Sequence, residues 1–337
     1  MVAPKFSEDE ARISKEIALE PGPRSARCPL CSYETTLEIS TVAARSIVNL
    51  YSGKLRELVA GLFEGIPAVS FRFCQRCSLE FFEPPITGSA EYYGVLQQND
   101  WYYLEEKAEY EIAARWIGAE ADVLEVGCGA GEFGRRLPRE RYTGLEFSPD
   151  AIQQAQQYQL KVYNESIESH SAANRTRYDV CCSFQVLEHV SDPAAFLRGG
   201  IDCLRPGGLL LFAVPSADSY VRHISNTYLN MPPHHVTWWR DSTLQTIPIF
   251  FPLELVSIEH EKVSDIHLGA CTAIIFKNQI NRLLRRHSGL VNESLTEKVV
   301  NRCAYQLAKL LPRLFADEAF RPAGHTVVAV YRKRGAA

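Results

Sequence analysis

One stretch, Val123-Leu-Glu-Val-Gly-Cys-Gly-Ala-Gly131, constrains this chain more than any other. An apolar run holding one acidic residue breaks into glycines at alternate positions, Gly127, Gly129 and Gly131, and a helix-like segment over 132–137 follows. The pattern predicts a strand, a tight turn and a helix. Glycines in such a turn let the backbone take positive φ, and they let a ligand lie against bare peptide N–H groups at a helix N-terminus. A nucleotide-like ligand is the expected guest.

Strand and helix signals alternate from there. Strands are expected over 123–126, 142–147, 161–163, 178–184 and 208–214, the last entered through Arg205-Pro-Gly-Gly208. Helices are expected over 132–137, 149–158 and 193–204; Ser148 is placed to cap the second and Pro149 to open it. The polar stretch 168–177 gives a poor helix signal. Repeated βα units mean an α/β, doubly wound, mostly parallel sheet with helices on both faces. Two further strands, 253–259 and 326–331, bring the count to seven and bracket a helical insertion at about 279–319, with Ser294 as a possible cap. Upstream, Leu104, Ala108, Ile112 and Trp116 recur every four positions, so a helix leads into the first strand.

Residues 1–27 are charged, carry Pro21-Gly-Pro23 and read as a loosely held tail. A module over 28–85 follows. It holds Cys28-Pro-Leu-Cys31 and Cys74-Gln-Arg-Cys77, two Cys-x-x-Cys knuckles that can place four thiolates tetrahedrally around a structural zinc; the other reading is four unrelated buried thiols. Phe71, Phe73, Leu79, Phe81 and Phe82 alternate as a small stapled sheet needs. Pro84-Pro85 ends the module, and an aromatic linker with the leading helix spans 86–120, including Glu91-Tyr-Tyr-Gly94 and Trp101-Tyr-Tyr103. These aromatics serve either as a staple between the domains or as a lid over the cofactor. The remaining residues, 121–337, form the nucleotide-binding domain with its insertion.

The net charge of −4 mixes both signs, so no nucleic-acid partner is expected, and the basic runs at 282–286 and 332–334 read as solvated faces. The longest apolar run, 209–214, is far too short for a membrane span, and the N-terminus has no apolar export segment. A cytoplasmic protein is expected, in which ten cysteines are thiols or metal ligands.

Gly129-Ala-Gly131-Glu-Phe-Gly134 matches the dinucleotide fingerprint, which keeps an NAD(P)-dependent oxidoreductase in view. Against it, Gly127 occupies the place where the first glycine should open the turn, and Glu132 falls where the third should be. Glu146, ending the second strand, can bind a ribose diol in either case. Four segments in combination resemble the class I S-adenosylmethionine-dependent methyltransferases: Leu124 to Gly131, Gly144-Leu-Glu-Phe-Ser-Pro149, Phe184-Gln-Val-Leu-Glu-His-Val190 and Leu204-Arg-Pro-Gly-Gly-Leu209. The cysteine knuckles and Pro232-Pro-His-His235 resemble the subgroup of that family with an N-terminal four-cysteine zinc ribbon.

The resemblance implies S-adenosylmethionine as cofactor. It places Glu125 beside the glycine loop and the methionine amino group, with Gly127, Gly129 and Gly131 under the methionine portion. Glu146 would take the ribose hydroxyls and Phe147 one adenine face; Ser166 and Ile167 would border the adenine, and Phe184 and Gln185 would face the methionine and the substrate entrance. Methyl transfer further asks for an aligned acceptor and a base near neutral pH, for which histidine is the default. His235 or His234 is the expected base, against the reading that these rings only hydrogen-bond loop backbone; His189 is a third candidate that reads more as a wall of the site. Tyr102, Tyr103 and Trp238 are expected to line the pocket of a small-molecule acceptor, such as a sugar, a phenol or a biosynthetic intermediate. A non-catalytic cofactor-binding adaptor recruited through its zinc ribbon is the third reading. The insertion would either cover the site or pair two copies in a homodimer.

Overall fold

The computed structural model describes residues 26–98, 107–286, 288–310 and 321–335. Strands β1 (Leu37–Ala43), β2 (Ala68–Phe73) and β3 (Glu80–Glu83) form an antiparallel meander behind the cysteine knuckles. Strands β4 (Val123–Val126), β5 (Tyr142–Leu145), β6 (Val162–Tyr163), β7 (Tyr178–Phe184) and β8 (Leu204–Pro215) follow, then the two-residue β9 (Thr237–Trp238), β10 (Leu253–Lys262) and β11 (Ala323–Lys333). The main sheet has seven strands in the order β10-β11-β8-β7-β4-β5-β6. Strands β4 to β8 run parallel, and β11 lies antiparallel between β8 and β10. Chain order reverses at β4, which pairs with both β5 and β7. The C-terminal end of β4 is therefore the switch point where an open α/β sheet leaves a crevice.

All four residues of β4 are buried. Val123 packs with Val180, Phe184 and Val328 on one face, while Leu124 and Val126 join Leu145, Cys181 and Phe212 on the other. Burial on both faces is why this strand reads as an apolar run rather than an alternation, and it makes Glu125 a carboxylate inside the sheet.

The segment 132–137 departs from expectation. Only a 3₁₀ turn, Gly134–Arg136, forms there, because Gly131 at φ +86° and Pro138 leave too few residues for a helical nucleus. The polar stretch after β6 does fold, as a helix over Ile167–Ala173 started by Ser166, whose hydroxyl accepts from the Ser169 amide at 3.2 Å. Ser148 caps Pro149–Gln157 through the Ala151 amide, and Ser294 accepts from the Glu297 amide at the start of Leu295–Leu310. The insertion is longer than expected: its first helix already begins at Asp265 and runs to Leu283. This helix pair exposes Ile266, Leu283, Leu295, Val299 and Leu310. Most of the 1–27 tail, along with Tyr102 and Tyr103, lies outside the described residues.

The N-terminal sheet does not close on itself. Its fourth strand is β9, paired to β3 through Glu80 with Trp238 and Phe81 with Thr237. Trp238 was expected in the acceptor pocket, and the structure corrects this: it is 4 % exposed and packs on Phe71 and Phe82 in the module's own core. Successive residues of an extended strand face opposite ways, so Trp239 enters the core of the main sheet against Phe212 instead. Two adjacent indoles thus fasten two cores together.

Charge adds to this seam. The Glu80 carboxylate, 1 % exposed, receives both Arg222 guanidinium nitrogens and Arg240 Nη2, the last at 3.0 Å. Burial alone would raise its pKa, but the two guanidinia hold it below its ordinary value of 4.5. Its stabilising contribution is therefore present above the unfolded value and is lost as pH falls through the folded one. Replacing Glu80 with Gln leaves Arg222 without its carboxylate and Arg240 with Asp218 alone, and we expect a loss of about 3–5 kcal/mol in urea unfolding at neutral pH. A loss below about 1 kcal/mol would show that the pair is solvated and not part of the seam.

Candidate functional site

At the switch point the chain leaves β4 through three glycines, all at positive φ: Gly127 at 73°, Gly129 at 53° and Gly131 at 86°. A Cβ on Gly127 would stand 2.4 Å from Val186, and one on Gly131 would stand 2.4 Å from Leu160, so both positions are closed to side chains on steric grounds as well. Glu146, just past β5, fixes the loop. Its Oε2 accepts from the Gly129 amide at 3.0 Å, while Oε1 accepts from the amides of Phe147 at 2.7 Å and Ser148 at 2.8 Å. Glu125 sits beneath, with the Tyr142 hydroxyl donating to its Oε2 at 2.6 Å. Burial pushes the Glu125 carboxyl up to about 8, against the opposing pull of that hydrogen bond.

These groups line a cavity of about 910 Å³. Its glycine-loop end holds Gly127, Gly129, Glu125, Glu132, Glu146 and Phe147. Phe147 is 67 % exposed, a bare aromatic face beside the Glu146 carboxylate. Phe184 lines the floor and is clamped edge-on by Tyr110 and tilted against Phe133. Gln185 also borders the cavity, at φ 58°, and its amide donates to Glu109 and Thr326 at 3.3 Å each. Gly131 supports the loop from behind, against Leu160 and Ala155.

Two expected adenine neighbours do not reach this cavity. Ser166 is spent on capping, and Ile167 is 2 % exposed and packed against Gly199 in the main core. The reason is the helix that starts at Ile167, which turns both residues away from the strand ends.

The other end of the cavity brings together residues far apart in sequence. His189 stands on a 3₁₀ turn, Leu187–His189, after β7, and His234 and His235 come from the loop before β9. Ring centroids lie 4.7 Å apart for His189 and His234, 5.0 Å for His189 and His235, and 4.8 Å for His234 and His235. Tyr93 closes the group, its ring edge-on to His189 and its hydroxyl 3.3 Å from His189 Nδ1. Its neighbour Tyr92 is fully buried in the module's core. The aromatic pair thus divides the two expected roles, Tyr92 as staple and Tyr93 as wall. Burial depresses all three imidazoles, His189 to about 4, so each ring is uncharged at neutral pH.

Two residues here had no assigned role from sequence: Tyr142 and Glu188. Glu188 lines the cavity, is 1 % exposed, and among the described residues neither of its carboxylate oxygens has a hydrogen-bond partner. Burial pushes it up to about 8. The available signal was its place between Leu187 and His189 at a strand end, where an acidic residue faces the crevice.

The cysteine knuckles form a second cluster, with ligand sulfurs all within 4.8 Å of one another. Cys28 and Cys77 Sγ are 3.5 Å apart, as are Cys31 and Cys74. That is far beyond a disulfide and near the edge of about 3.8 Å for a tetrahedron of thiolates around zinc. Both knuckles make the same turn: the Ser32 amide bonds to the Cys28 carbonyl and that of Ser78 to Cys74, with both serines left-handed at φ 58° and 61°.

Comparison with known proteins agrees with this architecture. A family described as a methyltransferase domain matches residues 101–252. The ubiquinone biosynthesis O-methyltransferase of Serratia proteamaculans is 37 % identical over 99 residues, 27 % of this chain and 41 % of that protein. The protein of the same name in Yersinia pestis (strain Pestoides F) is 33 % identical over 102 residues, 28 % of this chain and 42 % of the relative. The chain thus spans about two fifths of the length of these curated relatives. Among solved structures, a SAM-dependent methyltransferase from Archaeoglobus fulgidus aligns with 72 % of this chain and all of its own, at 18 % identity and a TM-score of 0.46. Residues 101–252, which carry the glycine loop at the switch point of a seven-stranded sheet, are thus similar to a methyltransferase domain.

Proposed function

We propose that the chain transfers a methyl group from S-adenosylmethionine to an oxygen, nitrogen or carbon of a small-molecule acceptor. The observation that carries this reading is the charge around the glycine loop. Glu125, Glu132 and Glu146 all line the cofactor end, and the loop leads into a 3₁₀ turn rather than a helix. A pyridine dinucleotide brings a pyrophosphate that wants a helix N-terminus; here it would meet three acidic side chains and no helix end. A sulfonium with an ammonium group suits the same surroundings, and this weighs against the oxidoreductase reading.

When bound, the cofactor supplies a methyl group on a positively charged sulfur, which is already a good leaving group. The chain's own residues then have to hold and orient. Glu146 offers its carboxylate to a ribose diol, Phe147 its exposed face to adenine, and Glu125, steadied by Tyr142, its carboxyl oxygens to an amino group. The acceptor would occupy the far end, between Tyr93 and the three histidines, where methyl donor and acceptor face each other in one cavity. Any of the three uncharged imidazoles can take a proton, but their depressed pKa values make each a weak base alone. The name of the ubiquinone-biosynthesis relatives, an O-methyltransferase, favours oxygen as the accepting atom. No helix among the described residues is long and apolar enough to cross a membrane. The exposed apolar residues of the helix pair, Ile266 and Leu295 among them, are where a second copy of the chain would pack.

We also propose that Cys28, Cys31, Cys74 and Cys77 hold one structural zinc, since four thiolates leave no position for water or substrate. Elemental analysis of the purified protein should then give one thiolate-bound zinc per chain, and Cys28→Ser with Cys31→Ser should remove it and unfold the module. A folded, metal-free double variant would refute the assignment. For the cofactor, S-adenosylhomocysteine at about 100 times its Kd should add about 2.7 kcal/mol of stability and raise the Tm, while NAD should not. Stabilisation by NAD alone would overturn the proposal. Glu146→Ala should weaken S-adenosylhomocysteine binding by about tenfold or more, the value of a charge-assisted hydrogen bond, with the fold retained. Unchanged affinity in calorimetry would remove Glu146 from the site.

A further inference from the structure

The histidine end of the cavity is built for something more positive than an acceptor molecule. His189 Nδ1 lies 2.5 Å from the His234 carbonyl oxygen, which can only accept, so the ring proton is on Nδ1 and Nε2 is a bare lone pair. His235 Nδ1 lies 3.3 Å from Asn230 Oδ1, so the same holds for its Nε2. Both bare nitrogens point at one oxygen: Glu188 Oε1 is 3.8 Å from His189 Nε2 and 3.9 Å from His235 Nε2. His234 adds an Nδ1 that is buried and, among the described residues, without a partner. A buried carboxyl group without a partner and two imidazole lone pairs thus converge on one point, an arrangement that a bound cation would satisfy.

The geometry matches such an ion. One ligand atom from each of the three histidines falls within 4.8 Å of the other two. An ion with bonds of about 2.1 Å spaces tetrahedral ligands by about 3.4 Å, so the Glu188 oxygen need close on each nitrogen by only about half an ångström, while the three histidine atoms lie no more than 4.8 Å apart. The outer contacts match too, since metal-binding imidazoles usually donate their second nitrogen's proton to a carbonyl or carboxylate, as His189 and His235 do here to a carbonyl and an amide oxygen. We infer that His189, His234, His235 and Glu188 form a second metal site, distinct from the four cysteines, that takes a first-row divalent transition ion. Three imidazoles and one carboxylate select such an ion over magnesium or calcium. All four side chains border the cavity, so a further coordination position opens toward the space where an acceptor would sit. That last point rests on the methyltransferase reading; binding of the ion does not.

Cobalt(II) titration of the purified full-length protein, with zinc left in the cysteine site, tests this. We expect one Co²⁺ per chain and a ligand-field absorption band without thiolate charge transfer. His189→Gln with His235→Gln should weaken it more than about tenfold, and Asn230→Ala, which removes the acceptor behind His235 Nδ1 but no ligand atom, should weaken it less while keeping the Tm. Wild-type protein that takes up no cobalt, or takes it up only with a thiolate charge-transfer band, overturns the inference, as does a double variant that binds cobalt as wild type does. S-adenosylhomocysteine affinity measured on the same samples separates this outcome from a failure of the cofactor reading.

Discussion

The contact on which the site depends is the carboxylate of Glu146 against three backbone amides. Those amides come from two places, Gly129 in the loop after β4 and Phe147 and Ser148 in the turn after β5. Without a side chain to bridge them, two adjacent strand ends would each carry amide donors into an open crevice, where only water would satisfy them. With it, the glycine loop and the next βα turn become one rigid lip. The positive φ values at Gly127, Gly129 and Gly131 are the local condition for that lip, and Val186 and Leu160 packed behind the loop exclude any larger residue.

The histidine end is assembled differently. His234 and His235 come from a loop that would be long and unsupported, were it not pinned at its far end where Trp238 and Trp239 enter separate cores and Arg240 reaches Glu80. The N-terminal module therefore does more than precede the main domain. Its edge strand β3 recruits β9, the Phe82 amide donates to the Val236 carbonyl, and the Val236 amide donates in turn to the Glu188 carbonyl. A hydrogen-bonded path thus runs from the cysteine-stapled sheet to the turn carrying Glu188 and His189. Rigid elements behind a site hold its side chains better than loops alone.

What was legible in the sequence follows from which signals are local. Strands β4, β5, β7 and β8 stood out because Gly and Pro bound short apolar runs, and β7 appears over the expected residues. The helix expected over 132–137 failed because its apolar spacing was read without the left-handed Gly131 before it and Pro138 after it. Trp238 was placed in the acceptor pocket by composition, whereas its strand pairing, formed with a residue as distant as Glu80, decides its side. Ser166 and Ile167 failed for a related reason, since a capping hydroxyl and a helix start absorb them. The grouping of His189 with His234 and His235 is a matter of loop path and has no periodicity to betray it. The repeated Cys-x-x-Cys-Ser turn is the opposite case, a wholly local geometry written twice.

The two ends of the cavity differ in charge in a way that constrains the chemistry. Near the glycine loop, Glu146 is committed to amides and Glu125 to Tyr142, so both carboxylates are fixed in place before a ligand arrives. Preorganised charge of this kind costs little reorganisation when a cationic ligand binds. Across the cavity, burial keeps three imidazoles uncharged and pushes the Glu188 carboxyl up to about 8. A cationic ligand of the kind proposed would find its more favourable end at the glycine loop. The other end offers imidazole lone pairs, the Tyr93 ring and one buried carboxyl group. The difference between the two ends follows from where the sheet's switch point and the module's edge strand each deliver their side chains.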